Sequence, residues 1–168
     1  KCSEYGYSMA YNIARDLTRA GVLVISGLAQ GIDSAAHLGA LEQGDTVAVL
    51  GNGLNIYYPK HNRNLQRKIE TKGCTLSEYP LNTNPHPGFF PARNRIISGI
   101  CRGVLVVEAE EKSGSLITAN YGLEQGRDVF AVPGNVWSKM SVGSNKLIQL
   151  GAKLVTGAED ILEEIEYL

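Results

Sequence analysis

The stretch VISGLAQGIDSAAHLGAL, residues 24–41, joins an apolar run to a helical pattern through a loop that contains two glycines. The spacing Gly27-x-x-x-Gly31 matches neither the dinucleotide-binding fingerprint nor the P-loop. Glycine lets backbone amides approach a ligand closely, and a helix start presents free N–H groups. The stretch therefore predicts a phosphate-binding unit of an α/β fold, and it leaves the identity of the ligand open.

Strand-like and helix-like segments alternate along the whole chain. Predicted helices cover residues 5–20, 33–43, 61–73, 93–101, 113–127 and 159–168, predicted strands cover residues 22–26, 46–50, 74–79, 103–109 and 128–134, and residues 146–155 combine a short helix with a last strand. Because the strands are continuous apolar runs, they predict a parallel sheet covered on both faces, a doubly wound fold of three layers, α/β/α. We expect one domain over residues 1–168, with an initial strand before Lys1 and an amphipathic helix at its C-terminal end.

The charges of the chain are unevenly distributed, although their sum is only −1. Residues 59–107 hold eight Lys and Arg against two Glu, a local net charge of +6, whereas residues 157–168 hold five acidic residues and no basic one. This asymmetry favours a protein that binds a polyanion on one face, and a solvated surface of mixed charge is the alternative.

The sequence indicates neither a membrane protein nor a metalloprotein. No apolar run approaches the roughly 20 residues of a membrane helix. The three cysteines are odd in number and far apart, which is typical of a reducing compartment and gives no zinc spacing. We therefore expect a cytoplasmic protein without a membrane partner, and we assign no metal ligand and no cofactor.

Loops at the carboxyl ends of parallel strands meet at one edge of the sheet, where α/β proteins bind ligands. The segment FFPARNRIISG places Arg93 and Arg95 in the first turn of a predicted helix, where the helix dipole disfavours cations. A bound polyanion would compensate for that cost, so the two arginines indicate a binding function.

Four further polar residues near this edge each have two interpretations. Asp33 is the N-cap of its helix or, with His37 one turn later, half of an acid–base pair, and His37 is otherwise a packing histidine. Glu78 and Glu108 end neighbouring predicted strands. They form either a carboxylate pair for acid–base chemistry or hydrogen bonds to loops and neighbouring arginines. We assign no catalytic residue.

Six blocks of the sequence closely resemble, in this order, the DNA-processing protein A family, also called DprA or Smf: SGLAQGIDSAAH, AVLGNGLNIYYPKHN, SEYP, FPARNRIISG, VVEAEEKSGSLITA and GRDVFAVPG. The resemblance covers almost the whole chain and implies an extended Rossmann-like fold. It further implies a homodimeric, non-enzymatic protein that binds and protects incoming single-stranded DNA and loads RecA recombinase onto it during natural transformation.

The resemblance also implies which residues bind DNA: Ser26, Gly27, Gln30, Gly31, Gly51, Gly53, Lys60, Phe90, Arg93, Asn94, Arg95, Gly114, Ser115 and Thr118. Many family members carry arginine or lysine where this chain has Gln30, so we expect either weaker phosphate binding or a larger share of it at Lys60 and Arg93. The final helix carries an apolar stripe that either packs on its own sheet or contacts a second subunit or RecA: Ile161, Leu162, Ile165 and Leu168.

Two alternatives use the same strand edge. One is an enzyme similar to the "lonely guy" nucleotide phosphoribohydrolases, but Asn120 and Tyr121 stand where such an enzyme would place its glutamate. The other is a small-nucleotide sensor, which would not need the basic middle of the chain.

Overall fold

The computed structural model describes residues 2–165, and within them it contains seven α-helices and six β-strands. In chain order these are α1 (Glu4–Arg19), β1 (Val24–Ser26), α2 (Ile32–Gln43), β2 (Thr46–Val49), α3 (Arg63–Lys72), β3 (Cys74–Leu76), α4 (Phe89–Ile100), β4 (Gly103–Val106), α5 (Gly114–Glu124), β5 (Asp128–Ala131), α6 (Val142–Gln149), β6 (Lys153–Leu154) and α7 (Glu159–Ile165). Short 3-10 turns precede α3 and α6, at Lys60–Asn62 and Lys139–Ser141. The alternation predicted from the apolar pattern is confirmed.

The strands form two parallel three-stranded sheets, in the orders β1-β2-β3 and β4-β5-β6. Val24 pairs with Thr46 in the first sheet, and Gly103 pairs with Asp128 in the second. The prediction of a parallel, Rossmann-like α/β fold is therefore confirmed. The sheet is divided, however, because β1 and β4 pair with no further strand among residues 2–165.

Helices cover both faces of the two sheets, as the continuous apolar strands require. One core lies between the second sheet and α1, α2 and α7, centred on Phe130 and Val132. A second core, around Ala119 and Ala131, packs α5 and α6 on the opposite face. A third packs α2 and α3 on the first sheet around Leu50. The three layers predicted from the sequence result from these contacts.

The start of α4 differs from the prediction and changes an argument made from it. The helix begins at Phe89, so Arg93 and Arg95 lie in its second turn rather than its first. Pro91 hid this start in the sequence, but proline is compatible with the first helical turn, where N–H groups have no partner within the helix. The helix-dipole argument for a bound polyanion is therefore wrong.

The N-terminal residues lie between the carboxyl ends of the two sheet edges. The Ser3 backbone N–H donates to the Glu108 carboxylate just after β4 (2.9 Å), and the Cys2 side chain lies against Gly31 after β1. The strand expected before Lys1 is outside the described residues and stays a prediction. None of the helices within residues 2–165 is long and apolar enough to cross a membrane.

Candidate nucleic-acid interface

The loop after β1 is folded around Asp33, which lies in the first turn of α2. The Asp33 carboxylate accepts hydrogen bonds from the Gly27 and Ala29 backbone amides, both at 3.1 Å. Gly31, rather than Asp33, is the N-cap residue of α2, and no side chain caps this helix. The N-cap interpretation of Asp33 is therefore wrong. Two amides that the sequence offers to a phosphate are instead satisfied within the protein.

Arg93 is buried beneath this loop, with only 5% of its surface exposed. Its Nη1 donates to the Gly27 carbonyl oxygen at 2.9 Å and to the Val49 carbonyl oxygen, so it joins the ends of β1 and β2. Gly27 allows this close approach, since a Cβ there would lie 2.6 Å from the Arg93 guanidinium. Burial lowers the pKa of Arg93, and the neighbouring Asp33 carboxylate opposes that shift. Arg93 thus connects the ends of β1 and β2 from inside the protein.

The two residues after Arg93 extend the site in different directions. Asn94 is also buried, accepts a hydrogen bond from Arg93 Nε (3.1 Å) and donates to the Gly114 carbonyl oxygen at the start of α5 (3.3 Å). Arg95 points outward, with about half of its side chain exposed, and forms an ion pair with Glu78. The hydrogen-bonding interpretation of Glu78 is confirmed.

A pair of aromatic rings stands above the end of β2. Tyr58 and Phe90 are stacked, with ring centroids 5.5 Å apart, and 43% of the Tyr58 surface is exposed. Gly51 makes room for this pair, since a Cβ there would lie 2.7 Å from the Phe90 ring. An exposed stacked ring is the type of surface on which a nucleobase packs.

Three exposed cations follow Tyr58 in the chain, one in the 3-10 turn and two on α3. Lys60 is exposed and, among residues 2–165, has no acidic partner at salt-bridge distance. Arg63 and Arg67, one helical turn apart, lie over the Tyr57 ring at 5.1 and 5.6 Å. These contacts leave all three charges available to solvent and to a polyanion.

A cleft of about 1360 Å³ separates the edge strands β1 and β4, and core side chains such as Ile13 and Phe130 form much of its wall. Only one end of the cleft reaches these loops. Its lining includes ten of the predicted DNA-binding residues: Ser26, Gly27, Gln30, Gly51, Phe90, Arg93, Asn94, Gly114, Ser115 and Thr118. Gly31, Gly53, Lys60 and Arg95 lie outside that lining. The structure therefore brings the predicted residues to one end of the fold but divides them between exposed and buried positions.

Two names describe the loops around this cleft. The first-sheet rim comprises the loops after β1, β2 and β3, residues 27–31, 50–62 and 77–88. The second-sheet rim comprises the loops after β4 and β5, residues 107–113 and 132–141. At the second-sheet rim, Ser113 caps α5 by accepting a hydrogen bond from the Ser115 amide (3.3 Å), so this helix start is partly satisfied by its own side chain.

The proposed acid–base pairs are absent from the described residues. His37 is fully buried, and its Nδ1 lies 2.9 Å from Thr46 Oγ1. The Thr46 hydroxyl itself donates a hydrogen bond to the Val24 carbonyl oxygen. His37 must therefore donate from Nδ1. Burial lowers its pKa to about 4, with the Asp33 charge raising it and the Arg93 charge lowering it. The packing interpretation of His37 is confirmed.

The second carboxylate candidate, Glu108, is buried and accepts two hydrogen bonds from Ser3, one from its backbone amide and one from its hydroxyl. Glu78 is bonded to Arg95 instead of to Glu108. Within residues 2–165, no group of three or more His, Cys, Asp or Glu is arranged to hold a metal ion.

The C-terminal stripe packs against the protein itself as far as it is described. Ile161 is buried in the core of α1 and the second sheet, and Leu162 and Ile165 pack against the same core. Leu168 lies outside the described residues. The role of this stripe at a subunit or RecA interface stays a prediction.

Several exposed cationic or aromatic residues are missing from the set of DNA-binding residues predicted from the sequence. Arg63 and Arg67 carry the i, i+4 spacing that places two charges on one helix face. From that spacing alone, the two arginines could have been predicted as part of a basic surface. Trp137, which is 92% exposed on the second-sheet rim, had no signal beyond its residue type.

Comparisons with known proteins identify the family of the chain. The family model described as DNA recombination-mediator protein A matches residues 1–166. The chain is 48% identical over 167 residues to the DNA processing protein DprA of Streptococcus pneumoniae, covering 99% of this chain and 59% of that relative. The chain thus spans less than two thirds of the length of that relative.

Two solved structures share the fold. The X-ray structure of DprA from Streptococcus pneumoniae matches with a TM-score of 0.91 at 48% identity, over 97% of this chain and 58% of that chain. A structure that describes the single-stranded DNA binding mode of DNA processing protein A from Helicobacter pylori matches with a TM-score of 0.89 at 28% identity, over 99% and 76% of the two chains. Sequence and fold agree over nearly the whole chain, which therefore belongs to the DNA recombination-mediator protein A family.

Proposed function

We propose that this chain binds single-stranded DNA at the first-sheet rim and has no catalytic activity of its own. The observation that carries the proposal is that the segments following β1 and β2 contain the glycine loop held by Arg93, the Tyr58 ring stacked on Phe90, and the exposed Lys60. The single-stranded DNA binding described for the Helicobacter pylori relative supports the same ligand class.

Phosphates and bases would meet different parts of this rim. Lys60, Arg63 and Arg67 provide the exposed positive charge for the phosphates. Tyr58 provides an exposed ring face for a base. Backbone charge and ring stacking carry little sequence information, so the proposed binding is nearly independent of sequence.

The hydrogen bonding of the two candidate carboxylates, Asp33 and Glu108, supports a binding function over catalysis. Asp33 and Glu108 each accept two hydrogen bonds from the protein itself, which ties both carboxylates into the fold. A phosphoribohydrolase would release free base from nucleoside monophosphates. We expect no release, and its detection would favour the enzyme alternative.

A salt titration tests the proposal. The affinity for labelled oligo-dT, measured by fluorescence anisotropy, is expected to fall with salt with a log–log slope of about −0.7 for each phosphate contacted. Lys60→Ala should reduce the affinity roughly three- to tenfold and make the slope shallower by about 0.7.

Lys72→Ala is the matched control. It removes the same charge from the last residue of α3, at the opposite end of the helix that Lys60 precedes. Salt-independent binding, a strong preference for duplex DNA, or equal losses for the two variants would each contradict the proposed site.

We further propose that the whole protein acts as a homodimer that protects incoming single-stranded DNA and loads RecA onto it in natural transformation. Ile165→Glu tests the dimer role of the C-terminal stripe by light scattering, with circular dichroism confirming that the variant is folded. If the mass measured for Ile165→Glu equals that of the wild type, Ile165 is not part of a dimer interface. If the protein does not accelerate RecA filament formation on oligo-dT, the loading role is wrong.

A further inference from the structure

The most exposed large apolar side chain of the described residues is on the second-sheet rim, away from the residues considered so far. Trp137 is 92% exposed and the preceding Val136 is 77% exposed, in the loop that follows β5. Trp137 is also the one tryptophan of the 168-residue sequence. An indole that packs so little against its own protein contributes almost nothing to the core, and tryptophan is enriched where proteins contact partners.

The loop around Trp137 has a well-fixed backbone. The Asn135 side chain accepts a hydrogen bond from the Trp137 amide (2.9 Å), and the Asn135 carbonyl oxygen accepts one from the Ser138 amide (2.9 Å). Asn145 on α6 both donates to and accepts from the Gly134 backbone, with each bond at 3.0 Å. The indole is therefore exposed on an ordered support, which lowers the entropy lost when a ligand packs on it.

The same loop is joined to the cleft. The Met140 carbonyl oxygen accepts a hydrogen bond from the Ala109 amide (2.8 Å), and Ala109 and Met140 both line the cleft. On the other side, the Tyr5 hydroxyl donates to the Pro133 carbonyl oxygen (2.8 Å). The cleft lining that contains Ala109 and Met140 also contains residues of the loops after β1 and β2, so the loop that carries Trp137 reaches, through Met140, the cleft that the first-sheet rim borders.

We propose that Trp137 is a stacking platform for a base of the bound single strand, a second contact point beyond the first-sheet rim. This inference rests on the proposed function. An aromatic face accepts any base, which fits a protein that does not read sequence. The exposed Lys139, two residues further on, provides a positive charge for an adjacent phosphate.

A protein partner is the competing occupant, because tryptophan also anchors protein interfaces. The exposed Lys139 beside the indole favours a nucleic acid, because it offers a positive charge to a phosphate. The exposed Glu110 and Glu111, in the other loop of this rim, would repel phosphates, so the contact is expected to be made mainly through a base.

The single tryptophan makes a direct test possible. Unlabelled oligo-dT is titrated into the protein while indole emission is recorded, and the binding of labelled oligo-dT is followed separately by anisotropy. We expect saturable quenching with the same midpoint as the anisotropy curve. Trp137→Ala should weaken binding about tenfold, Trp137→Phe should retain part of the affinity, and Leu150→Ala, at another exposed apolar residue, should not change it.

The outcomes separate this inference from the proposed function. If oligo-dT binds with the expected salt dependence while indole emission and the affinity of Trp137→Ala are unchanged, the platform is wrong and the proposed function stands. If no oligo-dT binds, both are wrong. If emission changes with protein concentration in the absence of DNA, Trp137 is a protein contact and the platform is overturned.

Discussion

The first-sheet rim and the second-sheet rim use polar and aromatic residues in opposite ways. Behind the first-sheet rim, Arg93 and Asp33 are occupied by hydrogen bonds within the protein, since Arg93 donates to two carbonyl groups and Asp33 accepts from two amides. In the second, the most conspicuous aromatic side chain, Trp137, is almost entirely exposed. Residue type alone therefore does not separate groups that build the site from groups that can contact a ligand.

The two rims also differ in charge. The first-sheet rim and the start of α3 present Lys60, Arg63 and Arg67 to solvent, whereas the second presents Glu110 and Glu111 beside Lys112. A strand of DNA that crosses both rims would place its phosphates mainly on the first and rely on stacking at the second. The following predictions test first which groups build the fold beneath the first-sheet rim and then how the charges of the two rims affect DNA binding.

The largest effect is expected for Arg93→Ala. The substitution leaves the Gly27 and Val49 carbonyl oxygens without their buried donor, and we expect the free energy of unfolding to fall by about 3 kcal/mol. This corresponds to a loss of roughly 10 °C in Tm, measured by thermal unfolding.

Arg95→Ala is the matched control for Arg93→Ala. Its ion pair with Glu78 is about half exposed, so its loss should cost no more than about 1 kcal/mol. If Arg93→Ala and Arg95→Ala unfold at the same temperature, Arg93 is not the buried donor that connects β1 and β2.

The next effect is a pH dependence of stability that originates at His37. Burial lowers its folded-state pKa to about 4, below the unfolded value near 6.5, so between these values the unfolded chain binds more protons. The contribution is constant above pH 6.5, and the free energy of unfolding decreases as the pH falls towards 4, by at most about 1.4 kcal/mol per pH unit.

His37→Gln should flatten this part of the curve, which urea unfolding at a series of pH values would show. His86→Gln, at an exposed histidine, should leave it unchanged. Parallel curves for His37→Gln and the wild type would contradict the buried, neutral state of His37.

Two smaller effects of opposite sign are expected for Asp33→Asn, a loss of folding stability and a gain in affinity for DNA. Loss of the carboxylate weakens the hydrogen bonds to Gly27 and Ala29 and should cost about 1 kcal/mol of stability. It also removes a negative charge beside the proposed phosphate path, so the affinity for oligo-dT should rise roughly twofold to fivefold at low salt. Thermal unfolding and anisotropy measure the two effects.

Asp45→Asn removes the same charge from an exposed position just before β2, at the opposite end of the sheet. It should change neither quantity appreciably. If Asp33→Asn binds oligo-dT more weakly than the wild type, the conformation of the loop after β1 contributes more to DNA affinity than the negative charge of Asp33 takes away.

The smallest effect is expected at the second-sheet rim. Glu111→Gln should raise the affinity for oligo-dT by less than about twofold at low salt, and the gain should disappear at high salt because exposed charges are screened. An increase as large as that of Asp33→Asn would place the phosphates closer to the second-sheet rim than we propose.

Much of this outcome could be predicted from the sequence, for identifiable reasons. Continuous apolar runs fix parallel buried strands because both faces must be covered, and the glycines after β1 and β2 mark the strand ends at which chains turn. The start of α4 could not be predicted in this way, because Pro91 is equally compatible with a loop and with a first helical turn.

The sequence by itself determined the layered α/β architecture, the end of the fold at which glycines and cations collect, and the family. Periodicity and local chain chemistry carry that information. Only the tertiary structure decided that Arg93 is buried while Arg95 is exposed, that Asp33 binds its own loop, and that Trp137 faces solvent. Burial and hydrogen-bond partners depend on segments distant in the chain, such as the Gly27 carbonyl oxygen that Arg93 reaches, and no local pattern encodes them.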